Sequence, residues 1–308
     1  MTDALHILLI EDTTGESPLI QVLLEESKSV AFVLQCTETL ALGLEQLSQH
    51  KFDIVLLDLS LPDSSGLDAL LAVRRYKPEL AVIALTNDDD EALGLQATQA
   101  GAQDYLVKGQ VSSRLLARSI RYSLERKRFE RRLEYLATHD DLTGLPNRQL
   151  FNFTLGQALE RARRARHNNE LAGKVGVMLL DLDNFKQIND TFGHIRGDDM
   201  LRAVAARLQG CMRKSDTVAR MGGDEFTLVI EQIGTPEDGA AIAKKVLEAL
   251  SEPILLDGVQ LHTTASLGIS MYPADGSNPE SLLQHADIAM YQAKQTRNCY
   301  KFYIPDNN

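Results

Sequence analysis

The chain has no tryptophan, only three cysteines, and no long apolar run. No stretch approaches the roughly 18 to 20 apolar residues that cross a bilayer, so the sequence predicts no membrane span and no membrane partner. Cys36, Cys211 and Cys299 are far apart and form neither a CxxC pair nor a metal-ligand spacing. That excludes a disulfide framework and a thiolate metal site, and the three read as reduced thiols of a cytoplasmic protein. The opening Met1-Thr2-Asp3-Ala4-Leu5 lacks the basic flank of a secretory signal. Basic residues are in short supply, with 32 Lys and Arg against 43 Asp and Glu. The net charge of −11 argues against a general nucleic-acid binder. There is no internal repeat and no low-complexity tract.

What remains is a chain of 308 residues, 44% hydrophobic, long enough for two domains with real cores. The charge is unevenly spread. Residues 1–110 carry 18 acids against 6 bases, residues 111–137 carry 3 against 8, and the remainder 22 against 18. An acidic domain, a basic connector and a nearly balanced domain follow in order.

In the first part, strand-length apolar runs recur at His6–Ile10, Ala31–Cys36, Phe52–Asp58, Leu80–Thr86 and Gln103–Lys108, separated by amphipathic segments such as Leu19–Glu26 and Leu40–Leu47. This alternation predicts an α/β domain with a doubly wound, five-stranded parallel sheet, whose ligands sit at the carboxyl ends of the strands. Polar residues fall at those ends. Glu11 and Asp12 follow the first strand, and Asp58, Thr86 and Lys108 end the third, fourth and fifth. Converging carboxylates repel one another without a cation, which suggests Mg²⁺. A carboxylate beside Mg²⁺ can attack phosphorus, and a hydroxyl and an ammonium nearby can bind the transferred phosphoryl oxygens.

Residues 1–122 resemble a response-regulator receiver domain, a flavodoxin-like fold. The match rests on Val55-Leu56-Leu57-Asp58-Leu59-Ser60-Leu61-Pro62-Asp63 and Asp104-Tyr105-Leu106-Val107-Lys108. The resemblance implies that Asp58 accepts phosphate from a partner histidine kinase. It implies one Mg²⁺ held by Glu11, Asp12, Asp58 and the Ser60 carbonyl, with Thr86, Tyr105 and Lys108 reporting phosphorylation. The acid pair is Glu-Asp here, where the family more often has Asp-Asp.

From Ser112 to about Thr138 there is neither Pro nor Gly, and Leu115, Tyr122, Phe129 and Leu136 recur every seven residues with Leu133 on the same side. This predicts a helix continuous with the last receiver helix, with residues 123–137 forming a coiled-coil stalk that pairs with a second copy. A single solvated linker helix is the alternative.

The second domain, residues 138–308, contains Arg220-Met221-Gly222-Gly223-Asp224-Glu225-Phe226 ahead of the apolar run Thr227–Ile230. Two glycines followed by two acids at a strand entrance describe a tight hairpin tip. A second apolar strand, Val175–Leu180, ends at Asp181. If it lies beside the hairpin, Asp181, Asp224 and Glu225 converge, with carboxylate enough for two Mg²⁺ and a triphosphate to complete their shells. The arginines of the helix Leu155–Arg166 read as a solvated face.

This domain is identified as a member of the GGDEF family, the catalytic domain of diguanylate cyclases. The motifs Asp141–Arg148, Asp181–Phe192, Arg220–Phe226 and Ala286–Lys294 occur in family order. The resemblance implies an α+β, nucleotidyl-cyclase-like fold with a central antiparallel sheet. It implies that Asp181, the Leu182 carbonyl, Asp224 and Glu225 hold two Mg²⁺ per GTP site, with Mn²⁺ as an alternative metal, and that Asp224 or Glu225 deprotonates the attacking 3′-hydroxyl. Asn189 and Asp198 would read guanine beside His194. Phe185, Lys186, Gly222, Gly223 and Lys294 would line the substrate site. Arg297 falls one residue short of the family's phosphate-binding arginine. Arg213 and Asp216 stand at the spacing of an RxxD product-inhibition site.

Together these readings describe a cytoplasmic, homodimeric, phosphorylation-regulated diguanylate cyclase that condenses two GTP into cyclic di-GMP and pyrophosphate and is inhibited by its product. Three rivals stand beside it. They are a turnover-deficient sensor of GTP or cyclic di-GMP, a cyclase making a mixed adenine–guanine product, and a non-enzymatic adaptor driven by phosphorylation.

Overall fold

The computed structural model describes residues 4–12, 17–26, 31–87, 91–167, 173–256 and 258–305. The chain divides into two compact units, Met1–Glu134 and Tyr135–Asn308.

In the first unit, β1 (Leu5–Ile10), β2 (Phe32–Thr37) and β3 (Ile54–Asp58) precede a short hairpin of β4 (Ser60–Leu61) and β5 (Ser64–Ser65), followed by β6 (Ala81–Thr86) and β7 (Asp104–Val107). The helices between them are α1 (Ser17–Glu26), α2 (Leu40–Gln49), α3 (Leu67–Tyr76) and α4 (Glu91–Gln99), and α5 (Ser113–Thr138) closes the series. The main sheet is parallel in the order β2-β1-β3-β6-β7. Alternate residues of its central strands enter two cores. Leu8, Val55 and Val82 pack with α2 and α3 residues such as Leu47 and Leu70, while Ile7, Leu56 and Ile83 pack with Ile20, Leu23, Leu116 and Ile120. Covering both faces is why these strands read as unbroken apolar runs. The last strand is shorter than the sequence suggests. Gln103 uses its side chain to accept from Val82 N (2.8 Å), and Lys108 begins a 3₁₀ turn.

Helix α5 has two unlike faces. Leu116, Ser119, Ile120, Ser123 and Lys127 are buried, whereas Leu115, Tyr122, Phe129 and Leu133 are exposed, the last three by more than 60%.

The second unit contains a sheet of β8 (Val175–Leu182), β9 (Thr217–Gly222), β10 (Glu225–Glu231), β13 (Ala265–Tyr272) and β14 (Cys299–Phe302), in the order β14-β13-β8-β10-β9. A separate small hairpin is formed by β11 (Ile254–Leu256) and β12 (Val259–Leu261). The helices are α6 (Arg148–His167), α7 (Phe185–Phe192), α8 (His194–Cys211), α9 (Pro236–Ser251) and α10 (Pro279–Lys294). The main sheet is antiparallel except at its edge, where β14 runs parallel to β13. The exception follows from connection length, because α10 carries the chain back across the sheet in a β-α-β crossover.

Gly268 on β13 lets α10 lie almost on the strand backbone, since a Cβ there would run into Ala286 O and the backbone of Met290. Backbone cannot yield as a flexible side chain does. Gly268→Ala is therefore expected to destabilise the fold by about 1–3 kcal/mol, read as a lower denaturant midpoint in urea unfolding. Of the described residues, no helix is long and apolar enough to cross a membrane.

Candidate functional site

The carboxyl ends of the parallel strands collect the first group of polar residues. Asp58, at the end of β3, and Glu11, just past β1, are buried with Thr86 and Lys108. Lys108 Nζ lies 2.7 Å from Asp58 Oδ2 and 2.8 Å from Glu11 Oε1. Ser60 N donates to Asp58 Oδ1 at 2.9 Å, so the short loop after β3 orients the carboxylate. Burial alone would push the Lys108 ammonium down. Its hydrogen bonds to Asp58 and Glu11, with their charges, outweigh that and hold it above the ordinary lysine value. One ammonium among Glu11, Asp12 and Asp58 leaves negative charge over, a donor set suited to a hard divalent cation.

Thr86 ends β6 beside β3, where Asp58 pairs with Leu85, and its buried hydroxyl has no hydrogen-bond partner among the described residues. A polar group in that state suits an incoming oxygen. Tyr105 is half-buried, and its ring lies where a Cβ on Gly94 of α4 would be.

The second group is assembled by the antiparallel ladder. Glu225 of β10 pairs directly with Asp181 of β8, and Leu182 N donates to Asp224 O at 3.3 Å. Gly222 and Gly223 have φ of 138° and 55°, which side chains rarely adopt, so the tight tip between β9 and β10 requires glycine at both positions. A register shift between Glu225 and Phe226 turns the strand start, leaving Glu225 exposed and Phe226 fully buried as its anchor.

Lys294, the last residue of α10, places Nζ 2.8 Å from Asp181 Oδ2. Burial raises the Asp181 carboxyl, the Lys294 hydrogen bond opposes this, and the charges of Asp224 and Glu225 add to the rise. Burial would lower Lys294, but the Asp181 hydrogen bond, with the charges of Asp181, Asp224 and Glu225, pushes it up. An acid whose proton affinity is raised by burial and by two neighbouring carboxylates belongs to a donor set that a divalent cation relieves. Among the described residues, no three His, Cys, Asp or Glu side chains are already gathered tightly enough to enclose one.

Of the other predicted substrate residues, Phe185 is buried, Lys186 and His194 are exposed, and Asn189 and Asp198 are half-buried. Asn189 packs its amide against α8 where Gly197 has no side chain. Arg297 is exposed at φ 60°, and its side chain makes no hydrogen bond or ion pair among the described residues. Arg213 and Asp216 share a turn between α8 and β9, with Arg213 N donating to Asp216 Oδ2 at 3.0 Å. The guanidinium is exposed rather than paired with its neighbour.

No motif in the chain announces the clamp on the glycine tip. Arg220 Nη1 grips both Asp140 oxygens (2.9 and 3.1 Å), while Nε and Nη2 donate to Gly223 O at 3.0 and 2.7 Å. Burial would raise the Asp140 carboxyl, but hydrogen bonds from Thr143 and Arg220 hold it below its ordinary range. These partners lie 80 positions apart, and only the fold joins them. The helix arginines are likewise partly engaged, with Arg161 pairing Glu231 at 2.8 Å.

A family model described as "Diguanylate cyclase, GGDEF domain" matches residues 137–299, and one for the response regulator receiver domain matches residues 7–120. The response regulator PleD of Caulobacter vibrioides is 33% identical over 256 residues, covering 79% of this chain and 54% of that protein. The GGDEF domain of TpbB from Pseudomonas aeruginosa, solved as a crystal structure, is 37% identical with a TM-score of 0.50, covering 53% of this chain and 99% of that one. A crystal structure of the coiled coil and GGDEF domain of DgcB from Caulobacter crescentus, in complex with c-di-GMP, is 27% identical with a TM-score of 0.50, covering 61% and 98%. The chain spans about half of PleD's length and 29% and 36% of two further curated relatives.

Proposed function

Because the chain belongs to the GGDEF family and carries a response-regulator receiver domain, we propose that it is a phosphorylation-regulated diguanylate cyclase making cyclic di-GMP from two GTP. The observation that carries this reading is the pairing of Glu225 with Asp181, with Lys294 on the same carboxylate and Asp224 in the tip beside them.

Each domain would hold one GTP, with Asn189, Asp198 and His194 at the guanine and Lys186 and Lys294 on phosphate oxygens, where a point charge suffices. A carboxylate accepting from guanine N1 and its exocyclic amine makes a pair that adenine cannot offer, which favours GTP over a mixed product. Two domains facing each other would bring each 3′-hydroxyl to the other nucleotide's α-phosphorus. The 3′-oxygen bonds to that phosphorus, its proton passes to Asp224 or Glu225, and the bond to the β-phosphate breaks with loss of pyrophosphate. Mg²⁺ held by Asp181, the Leu182 carbonyl, Asp224 and Glu225 would supply charge neutralisation at the phosphates.

The exposed row Leu115, Tyr122, Phe129 and Leu133 on α5 supports pairing with a second copy as a coiled coil. Phosphorylation of Asp58 by a histidine kinase, with Mg²⁺ at Glu11, Asp12, Asp58 and the Ser60 carbonyl, would bias that dimer through Lys108, Thr86 and Tyr105. Cyclic di-GMP at Arg213 and Asp216 would feed back as an inhibitor. The exposed guanidinium supports this, and the c-di-GMP bound in the DgcB structure is consistent with product binding.

The test is chromatographic product analysis after incubation with GTP and Mg²⁺, with and without beryllofluoride as phosphoryl mimic. Cyclic di-GMP formed faster with the mimic is the expected result. Bound nucleotide with no product under either condition would favour a sensor instead.

Gly197→Ala offers a check on guanine reading. The added methyl would displace the Asn189 amide while α8 keeps its helix. The expected outcome is a KM for GTP raised by about tenfold, a loss of roughly one hydrogen bond to a polar ligand, with the thermal midpoint little changed.

A further inference from the structure

Asp183 lies two residues beyond Asp181 and is only 6% exposed. Its carboxylate accepts from Thr264 Oγ1, from Ser266 Oγ at 2.8 Å and from Asn298 N at 3.0 Å. Its backbone N donates to Thr264 O at 2.8 Å. No Lys, Arg or His pairs with it among the described residues. A buried carboxylate without a cation is costly unless its lone pairs are filled, and here neutral donors fill them. Those donors come from the entrance to β13 and from the turn joining α10 to β14.

That turn is short and backbone-strained. Thr296 N and Arg297 N both point at Ala293 O (3.0 and 2.8 Å), and Arg297 and Asn298 take φ of 60° and 43°. Two successive non-glycine residues in the left-handed region need something to hold them. Asp183 holds the second by its amide, and Ser251 Oγ adds a long contact of 3.4 Å to the Asn298 side chain. The end of β8 and the end of α10 are thus joined by two rungs, Asp181 to Lys294 and Asp183 to Asn298. Asp183 directly follows β8 and its amide still bonds Thr264 O opposite, so its rung lies beside that of Asp181.

We infer that Asp183 is a positioning residue, which fixes the α10–β14 turn through the Asn298 amide and so sets Lys294 against Asp181. This rests on the reading of Lys294 and Asp181 as substrate-site groups. Asp183→Asn keeps the shape and removes the charge. It should lower kcat by about 10- to 100-fold, the range for residues that orient a group contacting the ligand. If Asp183 acts through Lys294, the double variant with Lys294→Met should be no slower than Lys294→Met alone.

A second readout needs no nucleotide. Hydrogen exchange at the Asn298 amide should quicken by about tenfold or more in Asp183→Asn, while the Leu267 amide in β13 stays as protected as before. Additive losses in the cycle, an unchanged Asn298 amide, or an acceleration shared by Leu267 would each overturn the assignment. Should Asp183→Asn fail to fold, Thr264→Val removes one donor at nearly constant shape, and additivity with Lys294→Met there overturns it equally. If the unaltered protein makes no product from GTP, the catalytic reading fails, and the exchange experiment still decides whether Asp183 anchors the turn.

Discussion

Glu225→Gln is expected to slow cyclic di-GMP formation by about a hundred- to a thousand-fold at saturating GTP and Mg²⁺, the scale of losing one charge-stabilising group at a phosphoryl centre. The substitution is isosteric and removes only charge. Glu225 is exposed, and the strand is anchored by fully buried Phe226, so the thermal midpoint should hardly move. The position matters because the ladder sets Glu225 opposite Asp181, whose carboxyl already feels both Glu225 and Asp224. Initial rates by product chromatography, with unfolding curves on the same samples, check the expectation. A variant with full activity would remove Glu225 from both the metal and base roles and leave them to Asp224. Measuring Asp224→Asn beside it shows which carboxylate takes the proton, since the base's variant should lose its dependence on the acid limb of the pH–rate profile.

Much of this site was legible because its residues are local in sequence. Gly222 and Gly223 announce a tip, and the alternation of strands and helices in the first domain places Asp58, Thr86 and Lys108 at one edge without coordinates. What the sequence could not supply is register and long-range pairing. That Glu225 faces Asp181 rather than a neighbour depends on a ladder between segments more than 40 residues apart. The Arg220 clamp on Asp140 and the Asp183 grip on Asn298 join positions 80 and 115 apart. Gly197 and Gly268 carry no motif, and their meaning lies in what stands where a Cβ would be. Length was also misleading at β7, because a glutamine side chain can stand in for a ladder partner. The parallel edge strand β14 was hidden by its shortness and became evident only with the crossover through α10.

Asp58→Asn is expected to abolish the acceleration by beryllofluoride, leaving a ratio of rates near one. The unaltered protein should show about 5- to 150-fold, the usual span of coupling between a regulatory and an active site. The argument turns on Lys108. In this structure its ammonium is shared between Asp58 and Glu11 at 2.7 and 2.8 Å, in a site where both carboxylates are almost fully buried. A phosphoryl group on Asp58 would bring oxygens that draw Lys108 and the Thr86 hydroxyl, which has no partner among the described residues, toward it, and that redistribution is the local event a switch needs. Asparagine offers no nucleophilic carboxylate and no anchor for the mimic. Because Glu11 still pairs with Lys108, the variant does not strand a buried charge and should fold. The ratio with and without the mimic is the readout, since it is insensitive to any change in basal rate. A variant that still responds normally would mean that the mimic acts elsewhere and that the Asp58–Lys108–Glu11 cluster is a structural ion pair. A variant unresponsive yet stalled at the fully activated rate would instead show that removing the Asp58 charge mimics the phosphorylated state, with Lys108 released toward Glu11 as the trigger.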